Sequence, residues 1–289
     1  MVRLADLKTA QDLLGQVDEF IQITSDFERA LRLHSVASVS REDFAAFCAA
    51  CALEWTIDEV EKIKNVLKSA AEKFKPYTLG LPPEIWLVKT SGLEEGGAAY
   101  TRGQTIVLST QRLARTEASL ERLLIHEVFH VLSRSRPALR DALYREIGFE
   151  PCGFIALPEE LERLRITNPD TPLNQHSLLV TYQRAKLDVL PVLFASQAEI
   201  NPTSTEPHFS QVKFAFLALE DGQAVYQDNK PLLLNPEALS GLYEQVGRNT
   251  GPIIQAEEVV AENFMFLLTG QTDLPDPCVP ERIGRVLGA

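Results

Sequence analysis

His126-Glu127-Val-Phe-His130 places two histidines four residues apart, with a glutamate beside the first, inside the run from Ser119 to Ser133. On an α-helix, positions i and i+4 lie about one turn apart on one face. Both imidazoles can therefore reach a single metal ion, and the carboxylate points into the same space. This is zinc-hydrolase geometry, in which the histidines hold the ion and the glutamate acts as general base. The plain alternative is a chance pairing of two histidines, so a third ligand has to come from another part of the chain.

The helix that carries this pattern is readable from its ends and its faces. Thr116 is placed to cap it, Glu117 and Glu121 sit near its positive end, and Arg134 and Arg136 near its negative end. Leu120, Leu124, Val128 and Val131 form one apolar face, while Ile125, Phe129 and Leu132 form a second, so the helix is expected to be buried. Polar groups gather on the remaining face at His126, Glu127 and His130, and buried polar groups need partners.

A later helix, expected over about 256–268, offers Glu258-Val-Val-Ala-Glu262. Its two carboxylates share one face, so one can bind a metal while the other accepts a hydrogen bond from a metal-bound imidazole. Glu257 is the weaker choice, because its i+4 neighbour is Ala261, and a carboxylate in a first helical turn is accounted for by the helix dipole.

Together these segments resemble the gluzincin metallopeptidases of the thermolysin-like clan, in which His-Glu-x-x-His is followed on a later helix by a ligand glutamate and an acidic residue four further on. The stretch 253–264 is also similar to the equivalent helix of little-studied bacterial proteins of that clan, the predicted zinc peptidases. The resemblance implies a zincin-like catalytic core with one Zn2+ held by His126, His130 and Glu258. It further implies Glu127 as general base, Glu262 as the acceptor behind His126, and a peptide or protein substrate. Two departures stand out: Glu262 occupies a position that is Asp in many relatives, and Glu258 lies 128 residues after His130, a longer gap than in thermolysin itself. The likeness does not extend to the N-terminal helices or to 150–235.

The rest of the chain reads as α+β. Residues 1–80 are expected to form a helical region, with apolar residues at three and four residue spacing from Leu4 to Phe20, Asp26 to Leu33, Arg41 to Leu53 and Thr56 to Phe74, the last opened by a Thr56-to-Glu59 capping box. Residues 81–149 carry a small sheet, with strands at 84–89 and 105–109, and the motif helix. Residues 150–235 form a β-rich insertion with a meander around the Asp221-Gly222 turn, and residues 236–289 a C-terminal helical segment that carries the third ligand. That last segment is expected to hold helices at 237–248 and 256–268. Ala98, Ala99 and Tyr100, small and extended just ahead of the motif helix, form either an edge strand that pairs with a substrate backbone or a plain hairpin arm. His176, Tyr182, His208 and Tyr226, all in the insertion, are the side chains considered as oxyanion donors, with nothing in the sequence to choose among them.

Composition narrows the classes. The chain has 289 residues, 45% apolar and 24% charged, which is enough for one large core or two lobes. A net charge of −12 argues against nucleic acid or an anionic membrane as the main partner. No apolar run approaches a membrane span, and the residues after Met1 lack the apolar centre of a secretory signal, so a cytoplasmic protein is expected. Cys48 and Cys51 read as reduced core thiols, since no second Cys pair completes a zinc site. Acidic residues are dispersed, so calcium loops are not expected. Two other classes remain: a zinc-binding protein that does not cleave, and a helical interaction protein with a fortuitous motif. Metal content separates the second from the rest, and chelator-sensitive cleavage of a peptide library separates enzyme from binder. Oligomeric state is not encoded in any feature of the sequence.

Overall fold

The computed structural model describes residues 2–173, 175–201, 203, 208–251 and 253–288. It is an α+β fold in which two sheets share the motif helix between them.

The first sheet has the order Val2–Leu4, Ile85–Thr90, Thr105–Ser109, Tyr100–Arg102, the first three strands parallel and the last antiparallel. Side chains alternate across a strand, so Ile85, Leu87, Ile106 and Leu108 face one way and Val88, Val107 and Tyr100 the other. Both faces are covered. The first meets the motif helix (Glu117–Ser135) and the helix Ile57–Phe74, while the second meets the small N-terminal helices through Ala10, Leu14, Phe44 and Cys48. The expected helix from Leu4 is a strand at its start, because Val2–Leu4 pairs with Ile85–Leu87. Asp6 then caps a new helix by accepting from the Thr9 N–H at 2.8 Å.

The second sheet is the one expected from 150–235. Its order is Leu233–Leu234, Val212–Glu220, Ala185–Ala195, His176–Tyr182, Phe149–Pro151, antiparallel throughout. One face, with Leu178, Val180, Val189, Phe216 and Ala218, joins the same core as Phe129 and Phe264. The other, with Leu190, Val192, Ala215 and Leu217, is covered by Leu161 and the Ile155 and Leu157 loop. The helix expected over 237–248 is reduced to short turns at Pro236–Ala238 and Tyr243–Val246. Gly241 and Gly247 adopt positive φ there, and Ser240 pairs with Thr181 instead. A C-terminal helix, Cys278–Leu287, closes the core.

The two stripes of the motif helix explain its position. Leu120, Leu124, Val128 and Val131 pack on the first sheet, and Ile125, Phe129 and Leu132 enter the core of the second. The third face is left for the helix Ala256–Thr269, which packs alongside and ends at Gly270 in the left-handed region. No helix among the described residues is long and apolar enough to cross a membrane.

Candidate metal centre

Where the motif helix and the Ala256–Thr269 helix meet, ligand atoms of His126, His130 and Glu258 all lie within 4.8 Å of one another. Each of the three is held from behind. His126 has its Nδ1 3.3 Å from Glu262 Oε2 and its Nε2 3.3 Å from Glu258 Oε2. His130 Nδ1 lies 2.7 Å from Glu257 Oε1, which leaves Nε2 for the common space. Glu258 Oε1 accepts from the Asn168 amide at 2.7 Å, leaving Oε2 inward. With one nitrogen of each ring committed outward, both imidazoles present the other as a ligand, the arrangement by which protein metal sites fix tautomer and orientation.

Glu257, the weaker choice by sequence, has a larger part in the structure. It is 3% exposed and accepts from Ser133 Oγ at 2.6 Å and from the Tyr144 hydroxyl, besides bonding to His130. The signal lay in its helical neighbours: Val260 and Ala261, three and four residues on, are both apolar, so Glu257 faces the core, where a carboxylate requires donors. Asn168 and Asp170 were also missed. Both belong to the strap Ile166–Asp170, an irregular segment with no periodicity to read. Thr101 donates to Asp170 Oδ1 through its N–H and its hydroxyl, each at 2.7 Å. A ligand atom of Asp170 falls within 4.8 Å of those of Glu127 and His130.

Glu127 is 3% exposed, and its Oε2 has no hydrogen-bond partner. A buried carboxylate oxygen without a donor is costly unless the site supplies one when occupied. That orphan oxygen, three converging ligand atoms and two oriented imidazoles form a donor set that suits Zn2+.

The protonation pattern is set by burial and by the acidic surroundings. Burial opposes charging His130, yet Asp170, Glu257 and Glu258 outweigh it and push the imidazole up to about 9. Burial also disfavours a charge on His126, but Glu258 and Glu262 hold that ring well above its ordinary value. Burial together with Asp170 pushes Glu127 up to about 8 against the pull of the two histidines. Burial would raise Glu258, but His126, His130 and Asn168 bring it down to about 2. The metal-free site thus carries protons that a bound ion must expel. Both ring pKa values are raised, so the protonated, non-binding form persists until pH climbs towards about 9. Zinc affinity is therefore expected to strengthen as pH rises from 6 to 8, about tenfold per unit for each proton released. Titration calorimetry in buffers of differing ionisation enthalpy measures this, and an affinity flat with pH would contradict it.

A cleft of about 380 Å³ opens over the site, lined by Ala98, Ala99, Tyr100, His126, Glu127, Glu258 and Glu262, with Leu193, Phe209 and Ile253 among its apolar walls. Tyr100–Arg102 is the antiparallel hairpin arm of Thr105–Ser109 and the outer strand of its sheet, while Ala98 and Ala99 lie in the loop ahead of it. The donors considered for an oxyanion are elsewhere. His176 bonds to Asp141 at 3.0 Å and sits edge-on against Tyr144, behind Glu257 rather than in the cleft. Tyr182 accepts from Gln183 and packs against the second sheet's core, and Tyr226 is 53% exposed on a two-stranded ribbon. None of the three is among the residues that line the cleft. The side chain of His208 lies outside the described residues. Asn168 does line the cleft, but its amide hydrogens are committed to Glu258 and Gln255.

Comparison with known proteins gives one match. No curated protein and no solved structure matches the chain. Residues 91–138 match the family model of the eCIS core domain, a span that takes in the outer strand, its partner and the whole motif helix, and that ends before the helix carrying Glu257, Glu258 and Glu262.

Proposed function

We propose that this chain is a zinc-dependent peptidase of gluzincin type. The observation that carries the reading is the convergence of His126, His130 and Glu258 within 4.8 Å, each braced by its own partner. The match of 91–138 supports it, since the eCIS core domain is associated with zincin-like metallopeptidases and contractile injection systems.

His126, His130 and Glu258 would hold the ion. Zinc bound there supplies a Lewis acid that lowers the pKa of water towards ~7 and polarises a carbonyl. The chain's own residues do the rest. Glu127, beside the ligands with a free oxygen, takes the proton of the attacking water and passes it to the leaving amine. The segment Ala98 to Tyr100, which lines the cleft as it enters the outer strand, aligns the substrate backbone, and the apolar walls at Leu193 and Phe209 exclude water from the reacting bond. Glu262 and Glu257 keep the imidazoles in place. The four free cysteines, two of them buried, suit the reducing cytoplasm that we propose as its setting.

Metal analysis of the purified protein tests the reading. One zinc per chain is expected, abolished in His126→Ala, with cleavage of a peptide library that stops on chelation. Protein without stoichiometric zinc would remove the hydrolase assignment, and zinc without cleavage would leave a binding protein.

A further inference from the structure

The cleft over the metal site is negative. Five carboxylates line it, those of Glu95, Glu127, Asp170, Glu258 and Glu262, and no lysine or arginine among the described residues does. Glu95 is offset by the buried Arg32, and a divalent ion would offset two more charges, so the cleft stays negative when the metal site is filled. Glu127 also keeps a buried oxygen there without a donor. A ligand that suits this cleft brings positive charge and N–H donors.

One end of the cleft is closed. In an antiparallel pair alternate residues turn their backbone groups outward, and the Thr101 N–H points away from Thr105–Ser109, to Asp170 Oδ1 at 2.7 Å. In the turn that follows, the Gly103 carbonyl accepts from Arg134 at 2.8 Å. The same guanidinium donates to the carbonyls of Pro169 and Asp170 at 3.3 and 3.0 Å, so the strap Ile166–Asp170 is clamped along the strand's outer edge. Ahead of the strand, the Ala98 N–H turns back to the Glu95 carbonyl at 2.9 Å. With the alternation carried back into the loop, Ala99 shares Thr101's outward side, and no hydrogen bond among the described residues engages its backbone. An extended peptide can pair there, and the next outward position is already taken. The stop lies beside the metal site, since ligand atoms of Asp170, Glu127 and His130 are within 4.8 Å of one another.

Charge decides which end of a peptide stops at the strap. A terminal carboxylate would face carboxylates with no cation in the lining, because Arg134 clamps the strap without lining the cleft. A terminal ammonium brings three donors to the same groups. We propose that the substrate is the free amino terminus of a peptide, stopped by the strap with its ammonium at the acidic end wall that includes Asp170, so that the first amino acid is released. The inference rests on the zinc-peptidase reading above. The bond that breaks is the first peptide bond: water's oxygen joins its carbonyl carbon, and the proton taken by Glu127 goes to the leaving amine.

One peptide sequence, prepared free, N-acetylated and C-amidated, tests this on the zinc-loaded full-length protein, with products read by mass spectrometry. The free and amidated forms should lose their first residue at similar rates, and the acetylated form should have a kcat/KM about 100-fold lower. Asp170→Asn keeps an acceptor for Thr101, and it should narrow that ratio about tenfold, chiefly by raising KM for the free peptide. Binding of leucine hydroxamate to the cobalt-loaded protein, read by its visible spectrum, needs no turnover and should be about tenfold tighter than that of its N-acetyl form. Internal cleavage, an acetylated peptide hydrolysed as fast as the free one, or equal hydroxamate affinities overturn the proposal and leave the zinc site standing. A ratio unchanged in Asp170→Asn overturns the part given to Asp170. Wild type that binds no zinc overturns the metal reading and this one with it.

Discussion

Glu127→Gln is expected to bind one zinc ion per chain and to hydrolyse peptides about 10²–10⁴-fold more slowly than wild type. The substitution preserves the shape of a side chain that is 3% exposed, so the three ligand atoms behind it should not move. What is lost is the capacity to take a proton from water and hand it to the leaving amine, which an amide does not do at any working pH. Turnover and metal content measured on the same preparation check this. A fall in kcat with zinc retained assigns the proton transfer to Glu127, whereas zinc lost together with activity assigns it a part in holding the ion. Glu127→Asp adds a control: it keeps the acid but withdraws it by one methylene, so a positional requirement costs rate there too.

The motif was legible because its spacing is its geometry. Four residues on a helix fix the separation of His126 and His130 whatever the rest of the chain does, and the same holds for Glu258 and Glu262. The two apolar stripes of the motif helix were legible for the same reason, and they foretold its burial; that each stripe enters a different core is seen only in the fold. What the sequence withheld depends on partners distant in the chain. Ile85–Thr90 and Thr105–Ser109 are buried on both faces, so they read as plain apolar runs from which parallel pairing cannot be told, and the third parallel member, Val2–Leu4, is three residues long. Asn168 and Asp170 reach the site only because Arg134 and the Glu28 and Arg32 pair hold their strap there, and no local pattern announces such a tether.

Glu257→Gln is expected to lower zinc affinity by about 10–100-fold while Glu262→Gln has the smaller effect. Glu257 is the sole carboxylate in contact with His130 Nδ1 among the described hydrogen bonds and is sealed from water, whereas the Glu262 side chain is 34% exposed and its place behind His126 is open to solvent. A glutamine at 257 presents one acceptor oxygen to three donors, those of His130, Ser133 and Tyr144, and turns its amine towards at least one of them. Glu257→Leu goes further, removing the acceptor for all three. With about 1–3 kcal/mol for each buried polar group left unpaired, the metal-free protein should lose about 3 kcal/mol or more in urea denaturation. Chelator competition for zinc and denaturation of the metal-free form together separate the two contributions. If Glu257 served the helix dipole alone, Gln would cost at most about 1 kcal/mol and zinc affinity would be unchanged. That outcome would mean His130 is oriented by its packing against Phe129 rather than by the carboxylate it touches.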